Sequence, residues 1–191
     1  MKNVEFVYNV IGTLKTFESL KNKVLKIPRE DWYEWQMRRV VEDQADSLTI
    51  LLFNQPDKNS TIFNKWFENK KYLDLLKIEI EECISILEGA LPGGDIKRAM
   101  LINLPAGCNV KKHYDINYHL ETCHRVHIPV LTNDQVEFFC KDIIIPMQEG
   151  TMVDFNNNHF HEVRNNSSVD RVHLVIDWGQ KDDMFYMETE V

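Results

Sequence analysis

The stretch HFHEVRNNSSVDRVH, residues 159–173, contains two short runs that flank the turn-like sequence NNSS. In each run apolar residues alternate with His or Arg, an alternation that is typical of β-strands with one buried face. Asn and Ser favour turns because their side chains bond to nearby backbone groups. The stretch carries three histidines and two arginines. Such side chains are costly to bury without partners, so the pattern suggests a pocket that binds a metal ion and a carboxylate.

More strand-like runs extend outward from this stretch through the second half of the chain. They read KRAMLINL, RVHIPVL, VEFFC, IIIPM, TMVDF, FHEVR and RVHLVIDW, and turn signals such as PAG, TND, QEG and FNNN separate them. Several short strands at this spacing predict an antiparallel sandwich or barrel. The mouth of a small barrel is also a common place for a ligand site.

The first half of the chain has helical periodicity and one apolar strand candidate, LTILLF at 48–53. One predicted helical face, with Pro28 as its stop, consists of Leu14, Phe17, Leu20, Val24 and Leu25. A second, with Gly89 as its cap, consists of Tyr72, Leu76, Ile80, Ile84 and Leu87. We therefore expect a mainly β protein with flanking N-terminal helices (α+β). It should be a single domain over 1–191, with a helical part at 1–95, a β core at 96–180 and a tail at 181–191.

The composition excludes several functional classes. The chain has 191 residues, 43% of them hydrophobic, and a net charge of −8, which fits one folded domain. It has no basic block that would indicate nucleic-acid binding and no apolar run of membrane-spanning length. The N-terminus MKNVEFVYNVIG lacks the apolar core of a secretory signal, and the four cysteines show no C-x-x-C spacing. We expect a cytoplasmic protein with reduced thiols.

The sequence HYD, His113 to Asp115, is the first candidate for chemistry. In an extended segment, residues two apart point to the same face, roughly 7 Å apart along the backbone. His161 is the best candidate for a third ligand, although His159 shares its strand face. Two histidines and one carboxylate leave three positions of an octahedron open, an arrangement that marks non-haem Fe(II) oxygenases. By itself H-x-D is also frequent by chance, as a strand-end His and a turn Asp.

Basic residues inside the predicted strands are the second candidate set. Arg171 follows His161 by ten positions within an apolar strand, and its guanidinium needs a carboxylate. That carboxylate is either internal, such as Asp177 or Asp154, or belongs to an external dicarboxylate that is bound bidentately. Arg125 and His127 share one strand face and favour an anion-binding cavity.

Four segments, GCNVKKHYD, CHRVHIPVLTN, MQEGTMVDFNNNHFHEVRNNS and DRVHLVIDW, occur in the order and spacing of one known family. Over roughly residues 97–178 the chain resembles the aspartyl/asparaginyl β-hydroxylase-like family of Fe(II)- and 2-oxoglutarate-dependent oxygenases. The resemblance implies a double-stranded β-helix, a jelly-roll or cupin-like barrel.

This resemblance also implies residue roles. His113 and His161 would be iron ligands, with Asp115 completing a triad that the enzyme naming the family lacks. Arg171 would bind the far carboxylate of 2-oxoglutarate, and Arg125 and His127 would contact the cosubstrate near its other carboxylate. The implied reaction uses Fe(II), 2-oxoglutarate and O2, hydroxylates an unactivated C–H bond, and releases succinate and CO2. The substrate would be a free amino acid or a residue of a peptide or protein.

Two other classes remain open from the residues alone. One is a cupin-like metal-binding protein without oxygenase activity, such as a sugar-binding or isomerase-like barrel or a sensor. The other is a β-sandwich interaction domain whose Arg and His side chains pair internally. The segment DWYEWQMRR could bring Trp35, Arg38 or Arg39 to a substrate mouth, although a surface helix fits it as well.

Overall fold

The computed structural model describes residues 5–33, 47–56, 65–115 and 122–181. The helices are α1 (Phe17–Val24), α2 (Arg29–Tyr33), α3 (Lys70–Leu75) and α4 (Lys77–Ala90). The strands are β1 (Tyr8–Thr13), β2 (Leu48–Asn54), β3 (Phe67–Glu68), β4 (Gly94–Leu104), β5 (Asn109–His113), β6 (His124–Leu131), β7 (Val136–Cys140), β8 (Ile143–Ile144), β9 (Thr151–Phe155), β10 (His161–Asn165) and β11 (Arg171–Gln180).

Two antiparallel sheets face each other. The larger has the strand order β1-β9-β6-β11-β4-β2-β3, and the smaller has the order β5-β10-β7-β8. From β4 onward the chain passes repeatedly from one sheet to the other, and among the described strands only the consecutive β7 and β8 lie in the same sheet. This is the topology of the predicted double-stranded β-helix, and the mainly β, α+β fold class is confirmed.

The core lies in two layers on either side of the larger sheet. On β11 the even-numbered residues from Val172 to Trp178 face the helices and pack with apolar residues of α1 and α4. The opposite face looks toward the smaller sheet, where Leu104, Phe138, Phe155 and Val163 pack together. Because side chains alternate along a strand, the odd-numbered residues of β11 point into the space between the two sheets. That alternation places Arg171, His173 and Asp177 inside the barrel.

The helical predictions were correct in part, because the second predicted face, from Tyr72 to Leu87, is divided between two helices, α3 and α4. Leu25 is 58% exposed and lies just beyond the end of α1. Gly89 lies within α4, which continues to Ala90 and ends at Leu91, where ψ is 67°. Pro92 follows, and a residue before proline is driven out of the helical region. The helix therefore stops because of Pro92, not Gly89.

The strand β1 at the edge of the larger sheet was not predicted, although it pairs with β9. The four cysteines are free thiols, as expected. The segment with Trp35, Arg38 and Arg39 lies outside the described residues, as does nearly all of the predicted tail. Among the described helices, none has the length and apolar character needed to cross a membrane.

Candidate metal and cosubstrate site

His113 and His161 are directly opposite each other on the neighbouring strands β5 and β10. Their ring centroids are 4.3 Å apart. Asp115 follows β5 by two residues, and its backbone N–H donates to the carbonyl of Asn157, in the segment between β9 and β10, at 3.1 Å. As a result one potential ligand atom from each of His113, Asp115 and His161 lies within 4.8 Å of the others. His159 instead lies near the Phe6 carbonyl, with Nε2 at 3.2 Å from its oxygen.

Both histidines of this cluster have a fixed orientation. Nδ1 of His113 lies 2.7 Å from the Lys111 carbonyl oxygen, and Nδ1 of His161 lies 2.9 Å from that of His159. A carbonyl oxygen only accepts, so each Nδ1 carries the proton and each Nε2 keeps its lone pair for a metal. Burial lowers the pKa of His161 to about 4, against the opposing effect of Asp115, so this ring is neutral at physiological pH. Two imidazole nitrogens and one carboxylate are ligands that fit a divalent iron ion.

Arg125 lies at the edge of this cluster and is bound to two carboxylates. Its Nε and one terminal nitrogen donate to Asp177 at 2.8 and 3.0 Å, and its other terminal nitrogen donates to Asp115 at 2.9 Å. Although burial disfavours the charge, Asp115 and Asp177 raise the pKa of Arg125 above its usual range. The prediction that Arg125 contacts the cosubstrate stays a prediction, and three of its N–H donors already have partners here.

Arg171 is in the opposite situation. It is 3% exposed, yet no carboxylate within the described parts of the chain pairs with it, and its Nε lacks a hydrogen-bond partner. Burial lowers the pKa of Arg171 to about 9. The internal alternatives are both engaged elsewhere, because Asp177 binds Arg125 and Asp154 binds His124 at 2.7 Å. A buried guanidinium without an anion is the residue type that a dicarboxylate ligand would need.

Two further histidines lie behind Arg171. Its terminal nitrogen is 2.6 Å from Nδ1 of His173, which in turn is 3.1 Å from Nδ1 of His127. Burial and the charge of Arg171 hold the pKa values of both imidazoles well below the usual range, so they are neutral. The ring of His127 also packs edge-on against Phe138 and Phe155, with centroids at 5.4 and 5.2 Å.

The sequence interpretation did not give Asp177 its role as the partner of Arg125. One signal was available: Asp177 is the one acidic residue in the apolar run RVHLVIDW and shares a strand face with Arg171. Which arginine it binds depends on strand register, and register places Asp177 opposite Arg125.

Comparisons with solved structures define the class of the fold. An oxidoreductase of the 2OG-Fe(II) oxygenase family from Burkholderia pseudomallei is 16% identical, with a TM-score of 0.54 over 85% of this chain and 77% of that one. A prolyl hydroxylase from Trichoplax adhaerens, in complex with a hypoxia inducible factor peptide fragment, is 13% identical, with a TM-score of 0.56 over 92% and 84%.

A viral collagen prolyl hydroxylase from Paramecium Bursaria Chlorella virus-1, in a 2OG complex, is 10% identical. Its TM-score is 0.53 over 94% of this chain and 100% of that one. At such identities these likenesses establish the shared fold alone. No curated protein has a matching sequence.

The family model described as aspartyl/asparaginyl beta-hydroxylase matches residues 77–180, more than half of the chain. The chain belongs to this family. It is therefore an oxidoreductase of the hydroxylase type, whose cofactor set is Fe(II), 2-oxoglutarate and O2. The predictions of family, enzyme class and cofactors are confirmed, while the roles of individual residues stay predictions.

Proposed function

We propose that this protein hydroxylates an unactivated C–H bond of an amino acid, either free or as a residue of a peptide, with release of succinate and CO2. His113, Asp115 and His161 would hold the iron. Arg171 would bind the C5 carboxylate of 2-oxoglutarate, and His127 would line the pocket toward the other end of the cosubstrate. When bound, iron and 2-oxoglutarate supply the oxidising chemistry.

The observation that carries this proposal is the contrast between two buried arginines. Arg125 is neutralised by two protein carboxylates, whereas Arg171 has none among the described residues. An unpaired buried charge is costly, and proteins keep one where a ligand compensates it. A metal protein without a dicarboxylate cosubstrate gives no reason for Arg171, so its isolation favours the oxygenase over a cupin-like binding protein.

The protein residues would bind and orient the reactants. The two imidazoles present Nε2 because their Nδ1 protons are held by backbone carbonyls. The hydrogen bond that the Arg171 guanidinium donates to Nδ1 of His173 fixes the position of that charge. The aromatic rings of Phe138 and Phe155 beside His127 and His161 exclude water from this part of the barrel. Preorganisation of this kind lowers the entropic cost of bringing reactants together.

We consider two forms of the substrate, a residue within a peptide and a free amino acid. A peptide is supported by the Trichoplax neighbour, which binds a peptide fragment, and an aspartyl or asparaginyl residue is supported by the family description. A free amino acid would fit the same iron and cosubstrate site.

The test is a screen for succinate release with free amino acids and short Asp-, Asn- and Pro-containing peptides. We expect one class to give succinate together with a product that is heavier by one oxygen. Asp115→Ala should lose both signals. Product formation that does not need 2-oxoglutarate, or equal activity in Asp115→Ala, would contradict the proposal.

A further inference from the structure

A row of polar side chains crosses the inner face of the larger sheet at one level. Asp177 on β11 is the direct cross-strand partner of Arg125 on β6 and of Arg98 on β4. Arg98 is in turn the partner of Asn54 on β2. Each member is bonded to or within ion-pair distance of the next: Arg98 Nε donates to Asn54 at 3.1 Å, and a terminal nitrogen of Arg98 lies 3.9 Å from Asp177.

The row is deeply buried and held together by charge. Asp177 is 0% exposed, Arg98 2% and Arg125 9%. A buried ion pair is stable only when its geometry is good and its remaining donors are satisfied. The parallel double contact between Arg125 and Asp177 meets that requirement. The guanidinium of Arg125 is therefore fixed to the sheet and does not depend on a flexible side chain for its position.

The row ends at Asp115. Arg125 donates to Oδ2 of Asp115 at 2.9 Å, while Oδ1 of the same carboxylate lies 3.9 Å from Nε2 of His113. One oxygen is thus held by the row and the other faces the histidine cluster. Asp115 lies beyond the end of β5, outside the ladder that positions the two histidines. Its side chain needs an anchor of a different kind.

We propose that Asp177 and Arg125 are positioning residues that fix Asp115 as a one-oxygen metal ligand. This inference rests on the proposed metal site and adds the reason why that carboxylate has a defined geometry. With Oδ2 engaged by Arg125, Asp115 would bind the metal through Oδ1 alone, which would leave three coordination positions for the other reactants. Partners of this kind behind metal ligands change metal affinity by about 10- to 100-fold when they are removed.

The test measures binding of Co(II) alone to the metal-free full chain by calorimetry, together with the visible spectrum of the bound ion. The variants are Arg125→Lys, which keeps the charge but loses the fork, and Asp177→Asn. Glu79→Gln is the matched control, because Glu79 on α4 is also a 0% exposed acid paired with a cation, Lys23, on the helical side of the sheet. Thermal unfolding of each variant reports the structural effect.

We expect both site variants to bind Co(II) about 10- to 100-fold more weakly and to show an altered spectrum. Glu79→Gln should lose stability without changing the affinity. In an Asp115→Ala background, where two histidines remain, Arg125→Lys should change the affinity less than twofold, because its effect acts through Asp115.

Unchanged Co(II) affinity in both site variants, or an equal loss with and without Asp115, would overturn the inference. If Asp177→Asn does not fold, Arg125→Lys alone decides by the same criteria. A wild-type chain that binds no Co(II) would refute the metal site and this inference together. Tight wild-type binding that neither variant weakens refutes the inference and leaves the proposed function standing.

Discussion

Replacement of Arg171 by Met should make the free protein more stable and cosubstrate binding much weaker. Met is unbranched and apolar, so it can occupy much of the space of the arginine side chain without its charge. In the free protein the guanidinium is buried without an anion, and burial lowers the pKa of Arg171 from its usual range to about 9. At about 1.4 kcal/mol per pKa unit, the cost of this burial at neutral pH has an upper limit of about 5 kcal/mol.

Part of that gain is offset in the variant. The bond from Arg171 to His173 is lost, which costs about 1–3 kcal/mol. The net gain is therefore at most about 2–4 kcal/mol, and in a protein of this size each kcal/mol raises the melting temperature by about 2–4 °C. The sign follows from the depressed pKa of a base: the burial cost is fully present below pH 9 and disappears only as the unfolded chain also loses its proton.

The effect on the cosubstrate has the opposite sign. Removing one partner of a buried charge pair costs about 2–5 kcal/mol, which weakens 2-oxoglutarate binding about 30- to 5000-fold. The assay is thermal unfolding of the Mn(II)-loaded protein, with and without 2-oxoglutarate, beside the metal-free protein. Arg164→Met is the matched control, because the Arg164 side chain is 50% exposed on β10 in the smaller sheet and its replacement should change neither quantity. An Arg171→Met variant that is less stable than the wild type and still binds 2-oxoglutarate normally would show that Arg171 does not bind the cosubstrate.

Three further outcomes are expected. His113→Ala or Asp115→Ala should abolish 2-oxoglutarate turnover while the circular dichroism spectrum stays unchanged; full activity in either would contradict the triad. The metal-free protein should lose stability as the pH falls from 7 toward 5. Buried histidines with lowered pKa values bind protons only in the unfolded chain, so below pH 6.5 each lowers the free energy of unfolding by up to about 1.4 kcal/mol per pH unit. In His173→Asn, urea unfolding should show a smaller decrease of this free energy over the same pH range. Gly94→Ala should destabilise the fold by about 1–3 kcal/mol, since its Cβ would lie 2.0 Å from the Trp178 ring. If chemical denaturation gives this variant the same free energy of unfolding as the wild type, that close contact does not exist.

The alternation of side chains along strands made much of the barrel predictable. The alternation of apolar and polar residues predicted the strands β6 and β11, and it placed Arg171 and His173 on the same face of β11. The same rule brought His113 and Asp115 toward one point, and the structure places His161, the candidate for the third ligand, beside them. These are local properties, and a single sequence contains them.

The register and pairing of distant strands could not be predicted from the alternation of side chains within each strand. The distinction between Arg125, neutralised by Asp177, and Arg171, left without a carboxylate, depends on which residues face each other across β6, β11 and β4. The edge strand β1 has no clean alternation, because the register of its pairing with β9 shifts between Val10 and Gly12. The end of α4 was misplaced because Pro92 acts through its neighbour and outweighs the glycine.

The most direct test of the account is an anaerobic absorbance titration of the metal-free protein with Fe(II) and then with 2-oxoglutarate. The account predicts a weak visible charge-transfer band that appears only when both are present and requires a higher 2-oxoglutarate concentration in Arg171→Met. Tight metal binding without such a band would contradict it, and would favour a cupin-like metal-binding protein.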